Sequence, residues 1–190
     1  MSMQFANVWE RVADTVGDEI ALINGDKKSS WSSFDSKAAK IATILEEHGL
    51  KSDSKVGIYL HNSNEYLEAQ YGVFKIEGVP INVNYRYKEN ELIYLLDNAD
   101  AEAVFFQGCY ADRIKAIKDQ LPKIKVYIQV DDGTEPLMQG AIDFENSISS
   151  AKEQKRFNRT EENIYMLYTG GTTGMPKGVI YKHGSFIPSM

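Results

Sequence analysis

The sequence is poor in the features that mark secreted, membrane and nucleic-acid-binding proteins. Its one cysteine, Cys109, has no internal partner for a disulfide, which favours a reducing, cytoplasmic setting. No stretch approaches the roughly 18 consecutive apolar residues of a membrane-spanning helix, and the N-terminus lacks a basic segment followed by an apolar run. The chain has 21 lysines and arginines but 27 acidic residues, so no general attraction to nucleic acid is expected. Any anion must be held by a local site.

The apolar residues that are present follow an alternation of helix and strand patterns. The chain of 190 residues is 43% hydrophobic and 25% charged, which is typical of about one soluble globular domain. Helices are predicted over residues 5–16, 33–48, 64–77, 89–98 and 112–121, and strands over residues 19–24, 29–32, 56–60, 80–83, 103–106, 126–130, 164–168 and 179–181. This alternation predicts an α/β fold with a largely parallel sheet and helices on both of its faces.

Two segments give weaker patterns. Residues 133–160 show no sustained period and are predicted to cross the surface as loops around one short helix. Within them, the basic run from Lys152 to Arg159 is interpreted as a solvated face rather than a nucleic-acid site. Ser32 or Ser33 is predicted to cap the second helix, which places Trp31 in the strand before it.

One stretch concentrates glycine, hydroxyl groups and a basic residue. Residues 168–179 read Tyr-Thr-Gly-Gly-Thr-Thr-Gly-Met-Pro-Lys-Gly-Val. Glycine lets the backbone approach a ligand closely, loop amides attract anions, and the ammonium of Lys177 neutralises phosphate charge. The stretch lacks the Gly-Lys-Ser/Thr and Gly-x-Gly-x-x-Gly patterns of two common nucleotide loops, and Pro176 and Gly178 oppose a following helix. A nucleoside triphosphate is the predicted ligand, and a glycine-rich hairpin turn without a ligand is the alternative.

The end of this stretch resembles the phosphate loop of the AMP-forming acyl-CoA synthetases. These enzymes belong to the adenylate-forming superfamily, together with luciferases and peptide-synthetase adenylation domains. The resemblance rests on Thr172, Thr173, Gly174, Pro176, Lys177 and Gly178, and it extends to Asn62–Tyr66, Phe74–Pro80, Asn82–Tyr87 and Glu91–Ala99. It therefore covers nearly the whole chain. Within the superfamily, Asn82–Tyr87 is more similar to the fatty-acyl type of CoA ligase than to peptide-synthetase domains.

The resemblance implies a two-step reaction that uses ATP, Mg²⁺ and coenzyme A. A carboxylic acid, expected to be a fatty acid, attacks the α-phosphate of ATP to give an acyl-adenylate and pyrophosphate, and coenzyme A then displaces AMP. The family's phosphate-binding role is carried over to Thr169, Gly170, Gly171, Thr172, Thr173, Gly174 and Lys177. The implied partners are thus small molecules, and neither a nucleic acid nor an integral membrane segment is expected.

The resemblance also sets the expected extent of the domain. The family's adenine-binding motif, Mg²⁺ ligand, ribose-binding aspartate, hinge and catalytic lysine all follow the phosphate loop. Residues 1–190 are therefore expected to form a truncated N-terminal adenylation domain that ends just after that loop, with the C-terminal domain absent. Such a piece is predicted to be inactive alone, to have no assigned catalytic residue or metal site, and to self-associate through exposed surface. The alternatives are a non-catalytic nucleotide- or partner-binding module, and a piece of another adenylate-forming enzyme such as a peptide-synthetase adenylation domain.

The histidines and one arginine are given structural roles. His183 is predicted to cap the helix after it rather than to take part in catalysis. His48 and His61 are too scattered in the sequence to indicate a metal site. Arg86 follows Tyr85 and is predicted to stack in a surface turn rather than to anchor a substrate.

Overall fold

The computed structural model describes residues 2–169 and 176–186, which form a large sheet, its covering helices and a separate hairpin. The helices are α1 (Phe5–Val16), α2 (Trp31–Glu47), α3 (Asn64–Lys75), α4 (Glu89–Asn98), α5 (Ala111–Ile117), α6 (Phe144–Ser150) and α7 (His183–Phe186), with 3₁₀ turns at Gly108–Tyr110 and Lys118–Gln120. The strands are β1 (Ile20–Asn24), β2 (Lys27–Ser30), β3 (Lys55–Tyr59), β4 (Val79–Asn82), β5 (Ala101–Gln107), β6 (Val126–Val130), β7 (Ala141–Asp143), β8 (Ile164–Thr169) and β9 (Lys177–Lys182). Within the described residues, none of these helices has both the length and the apolarity needed to cross a membrane.

The large sheet has seven strands in the order β7-β6-β5-β3-β4-β8-β9. Neighbouring strands are parallel up to β8, and β9 runs antiparallel to β8. After β3 the chain adds β4 on one side and then crosses over to add β5 on the other. In such a doubly wound sheet, ligands bind outside the carboxyl ends of the strands near the point where the strand order reverses. A ligand-binding site is therefore expected at the carboxyl ends of these strands.

Alternate residues of the central strands build the two faces of the sheet. In β5, Ala103 and Phe105 pack with α2, α3 and α6, whereas Val104 and Phe106 pack with α4 and α5. The strand is thus buried on both sides, as expected for a parallel sheet covered by helices. The predicted fold class, a largely parallel sheet with helices on both faces, is confirmed.

The start of α2 differs from the prediction. The helix begins at Trp31, and Ser30 is its cap, because the Ser30 Oγ accepts the Ser33 N–H at 3.3 Å. Serines occur on both sides of Trp31, and each carries the hydroxyl that a cap requires. The sequence therefore could not distinguish between them.

The segment that was predicted to be irregular contains a strand. β7 pairs in parallel with β6 at the edge of the sheet, and α6 follows it directly. Asp143 ends the strand and caps the helix, since its Oδ1 accepts the Asn146 N–H at 2.8 Å. A strand of three partly buried residues is too short to show an alternation of apolar and polar positions. For that reason the sequence indicated only the short helix.

The basic run after α6 differs from the predicted solvated face at Arg159, whereas Lys152, Lys155 and Arg156 are exposed as predicted. Arg159 is fully buried, with Nη1 3.0 Å from Glu10 Oε2 and Nε donating to the Lys75 carbonyl at 2.7 Å. Arg156 Nη2 lies 2.6 Å from Asp35 Oδ2. Since Glu10, Asp35 and Lys75 belong to α1, α2 and α3, these contacts fasten the segment after α6 to all three helices.

Strand β9 is exposed along its length, and Val179, Ile180 and Tyr181 present apolar surface there. Exposed apolar strands at a sheet edge can pair with other chains. The expected self-association through such a surface stays a prediction.

Candidate functional site

The β8–β9 hairpin carries the predicted phosphate-binding stretch. Thr169 ends β8, Lys177 begins β9, and the two residues face each other in the antiparallel register. Since β8 runs parallel to β4, its carboxyl end lies at the same edge as the carboxyl ends of β3, β4 and β5. The hairpin therefore brings a threonine and a lysine together at the edge where doubly wound sheets bind their ligands.

The described residues include the two ends of the predicted site. Thr169 and Lys177 are both exposed, so a hydroxyl and an ammonium group are accessible to a ligand. The remaining members of the set lie outside the described residues: Gly170, Gly171, Thr172, Thr173 and Gly174. The complete phosphate-binding set stays a prediction, although the strand expected on each side of it is present.

A pocket of about 260 Å³ lies beside the hairpin, among the ends of β3, β4 and β8. Here β8 is joined to β4 through the register pair of Ile81 and Met166. Tyrosine and asparagine side chains dominate the wall, among them Tyr66, Asn82 and Tyr168. In the described part of the chain this wall has no charged side chain, so the pocket suits an uncharged polar group of a ligand.

Tyrosine hydroxyls near this pocket are held as hydrogen-bond donors. Tyr66 Oη donates to Asn82 Oδ1 at 2.9 Å, and Tyr59 Oη donates to the Tyr87 carbonyl at 2.8 Å. Arg113 Nη1 donates to Tyr59 Oη at 2.8 Å. Burial raises the pKa of Tyr66 and the pKa of Tyr59 above the ordinary tyrosine value. Both hydroxyls therefore stay protonated at neutral pH and act as hydrogen-bond donors.

A second polar pair lies at the carboxyl ends of β3 and β5. His61 Nε2 lies 2.6 Å from Tyr110 Oη, and Gln107 Oε1 accepts the backbone N–H of His61 at 3.1 Å. Burial raises the pKa of Tyr110 to about 12, so its hydroxyl stays protonated at neutral pH. Sequence patterns did not indicate Tyr110, because it is one of 11 tyrosines and lies 49 residues from His61.

The described residues assign no ligand to the Mg²⁺ that the family resemblance implies. Within residues 2–169 and 176–186, no group of three His, Cys, Asp or Glu side chains is arranged to hold a metal ion.

Arg86 lies in an exposed turn, with its Cζ 5.1 Å from the centre of the Tyr85 ring. Its backbone N–H donates to Asn84 Oδ1 at 3.0 Å, so the turn has the stacked structure expected from the sequence.

His183 occupies a structural position in an aromatic cluster. It is the first residue of α7, it is fully buried, and its Nδ1 accepts the Phe5 N–H at 3.3 Å. Its ring meets the rings of Phe5 and Phe74 edge-on, with centroids 4.9 and 5.2 Å away. Because Phe5 is the first residue of α1, the imidazole helps to cap α1 rather than the helix that follows it.

Acidification is expected to destabilise the protein through His183. Burial lowers the pKa of His183 from 6.5 to about 4. Between these values the unfolded chain binds a proton that the folded chain does not, so the free energy of unfolding falls as the pH drops. His183→Phe is expected to lose this part of the pH dependence, since phenylalanine fills the aromatic site without titrating. Urea-unfolding midpoints at about pH 7.5, 5.5 and 4.5 measure the slope, and parallel profiles for the two proteins would contradict the assignment.

Sequence comparison relates nearly the whole chain to named enzymes. The family profile described as AMP-binding enzyme matches residues 9–190. Over 186 residues the chain is 37% identical to the 3-oxocholest-4-en-26-oate–CoA ligase of Rhodococcus rhodochrous, and the match covers 96% of this chain and 34% of that ligase. It is also 37% identical over 186 residues to the medium/long-chain-fatty-acid–CoA/3-oxocholest-4-en-26-oate–CoA ligase of Mycolicibacterium smegmatis, again over 96% of this chain and 34% of the relative. The chain therefore spans about a third of the length of these relatives.

The fold also has a solved counterpart. The crystal structure of the anthranilate CoA ligase AuaEII in complex with anthranoyl-AMP superposes with a TM-score of 0.89 at 22% identity, over 97% of this chain and 35% of that chain. At this level of identity, the similarity establishes the fold and leaves the substrate open.

Proposed function

The chain belongs to the AMP-binding enzyme family, and from that premise we propose that it forms part of an acid–CoA ligase. In the proposed reaction, a carboxylate oxygen attacks the α-phosphate of ATP, so that an acyl-adenylate forms and pyrophosphate leaves. The thiol of coenzyme A then attacks the acyl carbon, the thioester forms and AMP leaves. The observation that carries the proposal is the β8–β9 hairpin, which presents Thr169 and Lys177 opposite each other at the ligand-binding edge of the sheet.

The part played by the hairpin in this reaction is electrostatic. ATP and the carboxylate are both anions, so the first step brings like charges together and builds negative charge on the leaving pyrophosphate. The ammonium of Lys177 and the hydroxyl of Thr169 would stabilise that charge, because both groups are exposed where the hairpin strands end. The other residues proposed to hold the phosphates are Gly170, Gly171, Thr172, Thr173 and Gly174. Bound Mg²⁺ would supply further neutralisation of phosphate charge.

We propose a medium- or long-chain fatty acid, or another acid with a large apolar body, as the substrate class. The two relatives described above are named for acids of this kind, and both match the chain over nearly its whole length. A fatty acid and a steroid side-chain acid share one feature, a single carboxylate on an extended hydrocarbon. Such a substrate presents one charge to the phosphates and otherwise requires apolar contact.

We also propose that residues 1–190 are the N-terminal part of the adenylation domain and do not form acyl-adenylate alone. The match spans about a third of the relatives, so the groups that hold the base, the ribose and the metal would come from the remainder of the ligase. The proposed setting is the cytoplasm, where the exposed thiol of Cys109 stays reduced.

Carboxylate-dependent exchange of pyrophosphate into ATP tests this function in the complete ligase. We expect exchange with octanoate, palmitate or a steroid side-chain acid in the absence of coenzyme A, and release of acyl-CoA and AMP once coenzyme A is added. Release of ADP and phosphate instead would contradict the ligase proposal. Adenylate formation without transfer to coenzyme A would indicate another adenylate-forming enzyme.

The same assay on the 190-residue chain tests the proposed extent. No exchange is expected from this chain, because it would hold the phosphates without the groups that orient the rest of the nucleotide. Exchange at a rate near that of the complete ligase would contradict the proposal that further residues are required.

A further inference from the structure

Helix α4 contacts β8 and the residue before β9, next to the two ends of the predicted phosphate loop. Its Asn98 is hydrogen-bonded to Tyr168 on β8, and its Tyr94 is hydrogen-bonded to Pro176, the residue before β9. From these contacts we infer that Tyr94 and Asn98 are positioning residues for the ATP phosphates. They hold the two stems of the hairpin, by which we mean Tyr168 near the end of β8 and Pro176 just before β9. The inference rests on the proposed function and goes beyond it by assigning a role to a helix outside the phosphate loop.

The first contact joins β8 to the helix across a glycine. Tyr168 Oη donates to Asn98 Oδ1 at 2.8 Å. Tyr168 and Gly178 face each other in the hairpin register, and a Cβ at Gly178 would lie only 3.2 Å from Cζ of the tyrosine ring. Glycine at this position therefore gives the ring room to lie against β9 and reach α4. The packing of the Tyr168 ring thus explains a glycine at position 178 without reference to a ligand.

The second contact reaches the peptide that carries the lysine. Tyr94 Oη donates to the Pro176 carbonyl at 3.4 Å, and that carbonyl belongs to the peptide bond leading to Lys177. Tyr94 and Asn98 are four residues apart, so they lie on one face of α4 and can hold the two stems at once. Pro176 is itself buried, which leaves the lysine as the first exposed residue of β9.

Helix α4 is a fixed support for the end of the hairpin that carries Thr169 and Lys177. Leu92, Leu95 and Leu96 anchor the helix in the core, and each is at most 1% exposed. In contrast, β8 is joined to β4 through the register pair of Ile81 and Met166. Two side-chain hydrogen bonds from a fixed helix therefore restrict movement of the hairpin beyond that pair, at Tyr168 and Pro176. Binding groups held in this way need not be ordered when the ligand arrives.

A variant that removes both hydroxyls and keeps both rings, Tyr94→Phe with Tyr168→Phe, tests the inference in the complete ligase. We expect the KM for ATP to rise about tenfold, as for the loss of two ordinary hydrogen bonds, while the KM for the acid stays within about twofold. Partial unfolding would lower kcat without raising the KM for ATP. Tyr127→Phe is the matched control, because Tyr127 Oη donates to the Lys118 carbonyl, also at 3.4 Å, away from the hairpin. The control is expected to leave both KM values unchanged.

A mutant cycle shows whether α4 acts through the lysine. In a Lys177→Ala background, the two phenylalanine substitutions are expected to change the KM for ATP by less than about twofold, because the positioned group is already gone. An equal rise in both backgrounds, or no rise in the unmutated background, would overturn the inference.

Amide hydrogen exchange gives a second, activity-independent measurement. The β8 and β9 amides are expected to exchange about tenfold faster in the double phenylalanine variant than in the wild type or in Tyr127→Phe. Equal exchange in all three proteins would overturn the inference. Failure of the proposed function shows separately, as a wild-type ligase that releases no pyrophosphate, and the exchange measurement decides the inference in that case as well.

Discussion

Lys177→Ala is expected to slow pyrophosphate formation by the complete ligase about a hundredfold, the effect of removing one well-placed group that stabilises transition-state charge. The ammonium of Lys177 is a mobile point charge at the first residue of β9, and it lies opposite Thr169 across the hairpin. Negative charge grows on the β- and γ-phosphates as the bond to the α-phosphate breaks. An interaction that strengthens in this way lowers the barrier as well as the KM.

Lys182→Ala is the control for this prediction. Lys182 lies at the other end of β9, is also exposed, and forms an ion pair with Glu162 on the surface. Its replacement removes the same charge from the same strand and is expected to leave the rate unchanged, since exposed ion pairs contribute little. Steady-state release of pyrophosphate with saturating acid measures both variants. Equal rates for Lys177→Ala and Lys182→Ala would refute the phosphate-binding role of the lysine.

The sequence predicted the sheet well because the signals for its central strands are local. Residues 56–60, 103–106 and 126–130 are short apolar runs between helical patterns, and each became a strand at or within a few residues of the predicted bounds. The order of the strands in the sheet, in contrast, could not be predicted from local signals. It depends on which strands pair across more than 80 residues, as β4 and β8 do, and no local pattern carries that information.

For the candidate site, the sequence predicts the phosphate loop but not the contacts of its flanking residues with α4. Glycine, hydroxyl and lysine occur together between residues 168 and 179, so a phosphate-binding stretch could be predicted from the sequence. Tyr94 lies on a helix whose apolar residues face the core, and its bond to Pro176 spans 82 residues. The charged partner of Arg159, Glu10, is 149 residues away, which is why the sequence predicts a solvated side chain for an arginine that is fully buried. Long-range partners of polar side chains are what the sequence alone did not show.

Lys75→Met is expected to lower the free energy of unfolding by about 3 kcal/mol, near the lower end for breaking a buried ion pair. Lys75 is 1% exposed, and its Nζ lies 2.7 Å from Glu10 Oε1 and 2.8 Å from Asp35 Oδ1. Methionine fills similar space but leaves two buried carboxylates with less positive charge around them. Arg156 and Arg159 remain, so the loss is smaller than for a carboxylate left entirely unpaired. Urea unfolding followed by fluorescence of Trp9, which packs on the neighbouring Tyr71, measures the change.

Lys123→Met separates burial from charge in this prediction. Lys123 also bridges two carboxylates, with Nζ 3.1 Å from Asp97 Oδ1 and 2.7 Å from Asp100 Oδ1, but its side chain is 51% exposed. Water solvates these groups whether or not they pair, so no measurable destabilisation is expected. Equal losses for the two variants would mean that removal of the bridging charge, and not its burial, determines the effect.

Acid unfolding adds an independent measure of the buried cluster through Asp35. Burial alone would raise the pKa of Asp35, but the charge of Lys75 and hydrogen bonds from Lys75, Tyr71 and Arg156 hold that pKa below its ordinary value of 3.8. The ionised carboxylate therefore contributes stability that is complete above about pH 3.8 and is lost as the pH falls through the lower folded-state pKa. Removing Lys75 takes away the largest opposing influence, so the acid-unfolding midpoint of Lys75→Met is expected to move to higher pH. An unchanged midpoint would show that Arg156 and Tyr71 keep Asp35 ionised without Lys75.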